Sequence, residues 1–430
     1  LDLSGMSIGA TTTGINNAES AVYSDVTVTV GENTYRGEAD GAKDMDRLSI
    51  SGKNTVQHKA SAATGHFDLV GIGNNKVSAA EVFHTDVSVR GMKQAKPEDT
   101  EEEKKKKQSY LKNMDILAAG SQTFTGKSSS FGGSLLLGVA AAEMVHRAEN
   151  ITNTTLTGKW NLSGDVKASA VNREAFDLTS DTAYAAIVGG SGAGLDSTDT
   201  QKAVVSVESA AIRTGGGQTF AATNHLDDDK TDISTGGYGG LDAYASRLAQ
   251  NRAYTSEVSL TNADLSAKGK IGALAMTTGR LTADNRLSSG GAIVGTTTAF
   301  SDIKTAYENR VRVKGGKLAT DLAEDGGSGS DITLAAHENM SLDLSAVADN
   351  QTGISGAAVT HLNTTLQRKN TVDIAEGARI DGSGAVNLYA GRGLEGEKSA
   401  LIYNVLSDVY NRSVIPFATT PRLDSSISQE

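Results

Sequence analysis

Asp331-Ile332-Thr333-Leu334-Ala335-Ala336 opens a stretch that closes at Val386-Asn387-Leu388-Tyr389-Ala390-Gly391, and its internal pattern decides the fold. Ile332 and Leu334, Leu342 and Leu344, Val372 and Ile374, and Val386 and Leu388 alternate with polar neighbours. An apolar residue at every second position is the mark of a strand with one buried face. Between the runs stand Gly353-Ile354-Ser355-Gly356, Asn370 and Asp381-Gly382, which are turn residues. No catalytic motif interrupts the stretch; what it contains is a unit that restarts.

Working outward, the unit recurs along the chain. Starts fall at Met114, Trp160, Gln218, Ile271, Ile332 and Val386, with earlier strands at Val26-Val30 and at Leu48 and Ile50. Successive starts lie about 46 to 61 residues apart, a period expected of stacked supersecondary units. Glycine pairs follow most openings (Gly132-Gly133, Gly189-Gly190, Gly236-Gly237, Gly290-Gly291), and Asn precedes a β-branched run at Asn150, Asn309, Asn370 and Asn411. Three stretches also fit helical spacing: Leu135–His146, Leu241–Leu248 and Leu401–Val409. Their period-2 neighbours and the poor helix formers of Gly295-Thr296-Thr297-Thr298 favour strands there too.

The expected fold is therefore all-β: a parallel β-helix, or β-solenoid, of degenerate repeats. Residues 1–92 and 113–430 form its coils, and a charged insertion over 93–112 leaves the body. A repeat of this length predicts two or more coils per unit, and seven such units a rod of roughly 70 to 100 Å. Equivalent Asn residues are expected to stack into amide ladders, and small side chains to fill the interior. In the insertion, Glu101, Glu102 and Glu103 stand four residues before Lys105, Lys106 and Lys107, spacing that pairs them on a solvated helix.

Composition narrows the function. The 48 glycines and 38% apolar residues give a core made from Ala, Val, Leu and Ile, since aromatics are 5%. Three prolines leave the turns to Gly, Asn, Asp and Ser. A net charge of −11 opposes a nucleic-acid interface, which needs a basic face. With no cysteine there is neither a disulfide nor a thiolate metal site. The longest apolar run, Leu135 to Ala142, is too short to span a bilayer. A chain that opens at Leu1 directly into a strand pattern reads as a segment of something larger.

Sites of chemistry do not emerge. Gly189-Gly190-Ser191-Gly192-Ala193-Gly194 lacks the Lys-Ser/Thr of a phosphate loop and reads as a turn. Gly326-Gly327-Ser328-Gly329-Ser330-Asp331 resembles one calcium-binding nonapeptide of the repeat-in-toxin type. Thr333 stands where a large apolar residue is needed, however, and no tandem copy follows. Asp227-Asp228-Asp229-Lys230-Thr231-Asp232 reads as a solvated loop rather than a carboxylate cage. His58, His66, His84, His146, His225, His337 and His361 show no zinc-binding spacing. No catalytic, cofactor-binding or metal-ligating residue is assigned; calcium is the one ion with any candidate ligands.

The cycle itself, an alternating strand ending in Ala (Ile332–Ala336, Val386–Ala390), then Gly leading into small apolar residues (Gly290-Gly291-Ala292-Ile293-Val294, Ser355–Val359), then Asn, resembles the repeats of leukotoxin-type filamentous adhesins and, more distantly, filamentous haemagglutinins. That resemblance spans most of residues 46–411. It implies a β-helical, secreted or outer-surface bacterial stalk with adhesive or architectural work, and it transfers no active-site residues. With no convergent chemistry in the sequence, the expectation is a structural and adhesive rod rather than an enzyme, meeting a host surface, matrix or glycan, or neighbouring copies of itself. Two other functions fit a β-helix: a polysaccharide-binding or polysaccharide-degrading groove, which needs Asp/Glu clustered with Arg/Lys, and a self-assembling filament subunit.

Overall fold

The computed structural model describes residues 1–35, 45–93, 96–101, 103, 111–321 and 329–429. Its strands are β1 (Asp2–Val30), β2 (Met45–Val89), β3 (Leu111–Leu162), β4 (Val166–Thr214), β5 (Gln218–Ala267), β6 (Ile271–Thr320), β7 (Ile332–Thr352), β8 (Ser355–Ile374), β9 (Arg379–Asp381), β10 (Val386–Ala390), β11 (Ala400–Asn411) and β12 (Ile415–Gln429). All twelve join one sheet, and every strand pair is parallel. The chain is a parallel β-solenoid, as its alternation requires, and the three stretches with helical spacing are all strand.

Strands of 45 to 52 residues are far longer than an ordinary strand. Each one doubles back on itself. Within β2, His58 Nδ1 meets Glu81 Oε1 at 2.9 Å; within β5, Arg252 meets Asp229 at 3.2 Å; within β6, Asn285 Nδ2 donates to Phe300 O at 3.0 Å. The outgoing and returning arms of a coil thus face each other across a shared interior. At the fold of six of the eight arches a large apolar side chain projects into solvent: Leu69, Leu135, Ile187, Ile293, Ile354 and Val414; the fifth rung turns at Gly240 instead. The glycine pairs of the sequence sit beside these arches, where two layers approach closely and a side chain would intrude.

Each repeat is one coil, not two or more. Eight rungs stack: β1 to β6, then β7–β9 together, then β10–β12 together. At about 4.8 Å a rung the stack is about 34 Å high, whereas an arm of about 25 residues has a contour of about 80 Å. The molecule is accordingly a broad two-layered slab, and the long dimension expected along the stacking axis runs along the strands instead.

Register columns carry the core. Ile50, Ile116, Ala168, Phe220, Ala273, Leu334 and Leu388 stand one above another on the outgoing arm. Facing them, Val28, Val87, Thr154, Val205, Val258, Val311 and Val372 form a column on the returning arm. Met114, Val166, Gln218, Ile271, Ile332 and Val386 align as true coil starts. Trp160 does not belong among them. It ends β3 in a column with Ile212, Leu265 and Leu318, buried, with its indole donating to Thr157 O at 3.0 Å. Nor is the interior built of small residues alone, since Phe83, Phe124, Phe176, Phe220, Tyr254 and Tyr307 are all fully buried.

A corner recurs near the end of the returning arm, where Gly158, Ser209, Asn262 and Gly315 take positive φ values of 80°, 47°, 50° and 65°. Asn and Ser tolerate this left-handed backbone better than other non-glycine residues do. Of the 93–112 insertion, Glu101 and Glu103 are helical, and β3 already begins at Leu111. Glu102, and Lys105, Lys106 and Lys107, the proposed partners of the acids, lie outside the described residues, as do Gly326-Gly327-Ser328.

Candidate functional site

Among the described residues, two of the places that concentrate polar chemistry bear on function. The first is sealed inside the slab. Ser20 Oγ lies 2.7 Å from His58 Nε2, His58 pairs with Glu81, and Gln122 donates to the other Glu81 oxygen. Gln201 reaches Gln122 at 3.4 Å and Asp199 at 3.0 Å. Arg252 Nη1 then stands 3.2 Å from Asp229, 3.8 Å from Asp199 and 4.0 Å from Glu174, while Tyr254 donates to Glu174 at 2.8 Å. Polar contacts therefore run through the interior from the first rung to the fifth.

One guanidinium faces three carboxyl groups there, and burial decides their protonation. Desolvation, then the neighbouring Asp199 and Asp229, raises the Glu174 pKa well above normal. Asp199 and Asp229 are raised by burial too, against the pull of Arg252 and a hydrogen bond from Glu174. Burial and the two neighbouring acids therefore favour the protonated form most strongly at Glu174, while Arg252 opposes protonation of all three carboxyl groups. Burial alone would lower Arg252, but Tyr254, Asp229, Glu174 and Asp199 around it hold the cation above its usual value. His146 is stacked on Phe124 at 4.5 Å and lies edge-on to Phe176 at 4.7 Å. Desolvation, reinforced by Arg252, lowers its pKa to about 3, so its 3.5 Å approach to Glu81 is that of a neutral ring.

This interior contradicts one expectation drawn from sequence. Asp229 is not solvated; it is fully buried, and its carboxylate also accepts from Phe176 N at 2.9 Å. The cause is a bulge. Between Leu226 and Asp229 the fifth strand carries one residue more than either neighbouring strand, with Asp228 at φ 63°. The extra residue reverses the in–out phase, so Asp229, Thr231 and Ile233 point inward and Asp227 and Asp228 remain outside. A run of three aspartates gives no such signal by itself. Asn ladders do form: Asn309 donates to Asn370 at 3.0 Å, as the sequence suggests, and Asn172 donates to Asn224 at 3.0 Å, a ladder its pattern hides. Asn411, grouped with Asn370 by sequence, aligns with Asn350 instead.

The second place is an open basin beyond the recurrent corner, of about 640 Å³. Small residues in successive rungs, Ala211, Gly215, Ser266 and Ala319, form its floor, and Arg213, Asp264, Lys268, Lys317 and Asp321 line it. Lys317 is held by Asp381 at 3.2 Å. The groups are of mixed sign and solvated.

Among the described residues, no group of three or more His, Cys, Asp or Glu is arranged to hold a metal ion. Gly189–Gly194 continues as strand into the returning arm of β4 just past its arch, and Asp331 accepts from Ala385 N at 2.8 Å, pinning one rung to the next. No helix among the described residues is long and apolar enough to cross a membrane. Comparison with protein families, curated proteins and solved structures finds no match.

Proposed function

We propose that the chain is a structural and adhesive segment of a large bacterial surface or secreted filamentous protein. Supporting this reading is the in-register stacking of whole coils, which repeats the same outward positions rung after rung on broad faces and a long edge. Such a scaffold gives stiffness and many parallel contacts, while the Arg252 cluster with its three carboxyl groups is sealed from solvent. The resemblance of its repeats to those of filamentous adhesins points the same way. The purified segment is expected to bind at least one class among cell surfaces, matrix proteins and glycans in a surface-retention assay. A segment that binds none of them, or that turns over a substrate, would end this reading.

The basin favours a second reading, a polysaccharide-degrading β-helix, because Asp264 and Asp321 stand there among Arg213, Lys268 and Lys317. Two carboxylates with flanking cations are the minimum such chemistry needs. Release of reducing or unsaturated ends from polysaccharides, lost in Asp264→Asn, would establish it in place of the first.

A further inference from the structure

Beside the arches, on the outgoing arm, three aromatic side chains lie in solvent although the interior has room for many others. Phe67, Phe131 and Tyr238 are 48%, 46% and 73% exposed. Each stands directly across from a glycine of an adjacent rung: Phe67 from Gly133, Phe131 from Gly65, Tyr238 from Gly290. In each case the ring leans into the space where that glycine's Cβ would be; two Phe131 ring carbons lie 2.6 and 2.7 Å from that position at Gly65, and Phe67 approaches it at Gly133 to 3.3 Å. The rings are laid against the sheet, with their outward faces free. Between them Ala183, Ala185 and Gly236 make a bare floor, and the groove encloses about 390 Å³. No charged side chain lines it.

We infer that this strip is a binding site for a neutral glycan. The inference rests on the adhesive reading above and names its ligand. Flat aromatic faces at a solvated surface suit the C–H faces of pyranose rings, which stack on them without requiring full burial. Phe67 and Tyr238 are three rungs apart, about 14 Å along the stacking axis, so an extended chain can meet both while crossing the bare floor. Lack of charge in the lining selects against carboxylated or sulfated sugars, and the chain's net charge of −11 disfavours nucleic acid. A second copy of the chain is disfavoured by size. Five rungs, about 19 Å long and about one sheet spacing wide, offer far less than the roughly 800 Å² per partner of a stable interface.

Affinity electrophoresis of the whole chain through gels containing neutral polysaccharides (dextran, galactomannan, xyloglucan, mixed-linkage glucan) tests this. The double variant Phe67→Leu/Tyr238→Leu keeps the glycines covered by an apolar side chain but removes the flat faces, and Tyr238→Phe keeps them. Retardation by at least one neutral polysaccharide is expected, weakened about tenfold or more by the double Leu variant and retained by Tyr238→Phe. Retardation unchanged in the double Leu variant would overturn the strip and leave the adhesive reading standing. The same holds if the chain binds matrix proteins or cells but no neutral glycan. Binding to phosphatidylcholine vesicles, or dimerisation in sedimentation velocity, that survives Leu substitution but is lost in Phe67→Ser/Tyr238→Ser would assign the strip to lipid or to a second copy, and likewise overturn it. Failure to bind any surface, matrix protein or glycan would overturn both readings.

Discussion

Arg252 is the residue on which the interior balance turns. It lies fully buried 5.3 Å from the Phe176 ring centroid, its Nη1 facing three carboxyl groups. Removing a buried cation leaves its partners as uncompensated buried charge, which costs more than the pair contributes. Arg252→Met is therefore expected to destabilise the chain by about 3–5 kcal/mol, read as a fall in the denaturant midpoint. Combining it with Glu174→Gln, Asp199→Asn and Asp229→Asn should recover part of that loss, because the desolvated charges go with it. A combined variant less stable than Arg252→Met alone would show that hydrogen bonding, not charge compensation, dominates. The Glu338 cluster offers a contrast. Its carboxylate accepts from Arg368 Nε at 2.7 Å and Asn370 at 3.2 Å, so one acid meets one cation with its remaining capacity filled.

Protonation follows from the same burial. Glu174, Asp199 and Asp229 have raised pKa values, and Asp242, desolvated against a hydrogen bond from Tyr244, is raised to about 6. Above the ordinary carboxyl value of about 4 the native state holds more protons than the unfolded chain, so stability falls as pH rises through the raised values. His146 acts oppositely: neutral in the fold down to about 3, it opposes folding as pH falls below about 6.5. The carboxyl contribution to the thermal midpoint should hence decline as pH rises above the ordinary carboxyl value, and Asp242→Asn should remove the part of that decline between about pH 4 and 6. A pH dependence of the midpoint between about 4 and 6 that Asp242→Asn leaves unchanged would contradict the raised Asp242 carboxyl.

At the scale of the element, alternation made the runs at Val26–Val30, Ile332–Leu344 and Val386–Leu388 legible, because a period of two survives any substitution that keeps polarity, whereas Ser355-Gly356, Asn370 and Asp381 read as turns and lie in strands. Turn glycines located the arches for the same reason. Three things were not legible. Coils per repeat depend on whether a strand turns once or several times, and a column of Gly158, Ser209, Asn262 and Gly315 has no shared residue type to announce its corner. The start at Trp160 was misplaced because a closing strand alternates just as an opening one does. Asp229 was hidden because one inserted residue inverts the phase of everything up to the arch. That bulge makes a sharp prediction. Deleting Asp228 should restore the phase, turning Thr231 and Ile233 outward, and is expected to cause a stability loss larger than that of Asp228→Gly, which keeps the bulge and suits its φ of 63°. Far-UV dichroism and the unfolding midpoint measure both. Asn172→Ala, which cuts the ladder to Asn224, should cost about 1–2 kcal/mol, with the midpoint again as the measure.

At the scale of the whole molecule, parallel coils bury their backbone only where a rung lies on each side. Rungs β3 to β6 have two neighbours, and their interior positions are almost continuously buried; β1 has one neighbour, and most of its residues are exposed or half-buried. The same contrast holds at β12, which is exposed over nearly its whole length. Opening free energy should therefore fall from the middle of the stack towards its two outer rungs, as nearest-neighbour coupling in stacked repeats requires. Native-state hydrogen exchange is expected to give the slowest amides in β4 and β5 and the fastest in β1 and β12, with β2 and β8 intermediate. The shape carries its own signature, since a slab about 34 Å along the stack and about 80 Å along the strands scatters differently from a long thin rod. If the exchange gradient instead ran from arch to corner within every rung, the arms would be opening independently of the stack. The coil, rather than the sheet, would then be the cooperative unit.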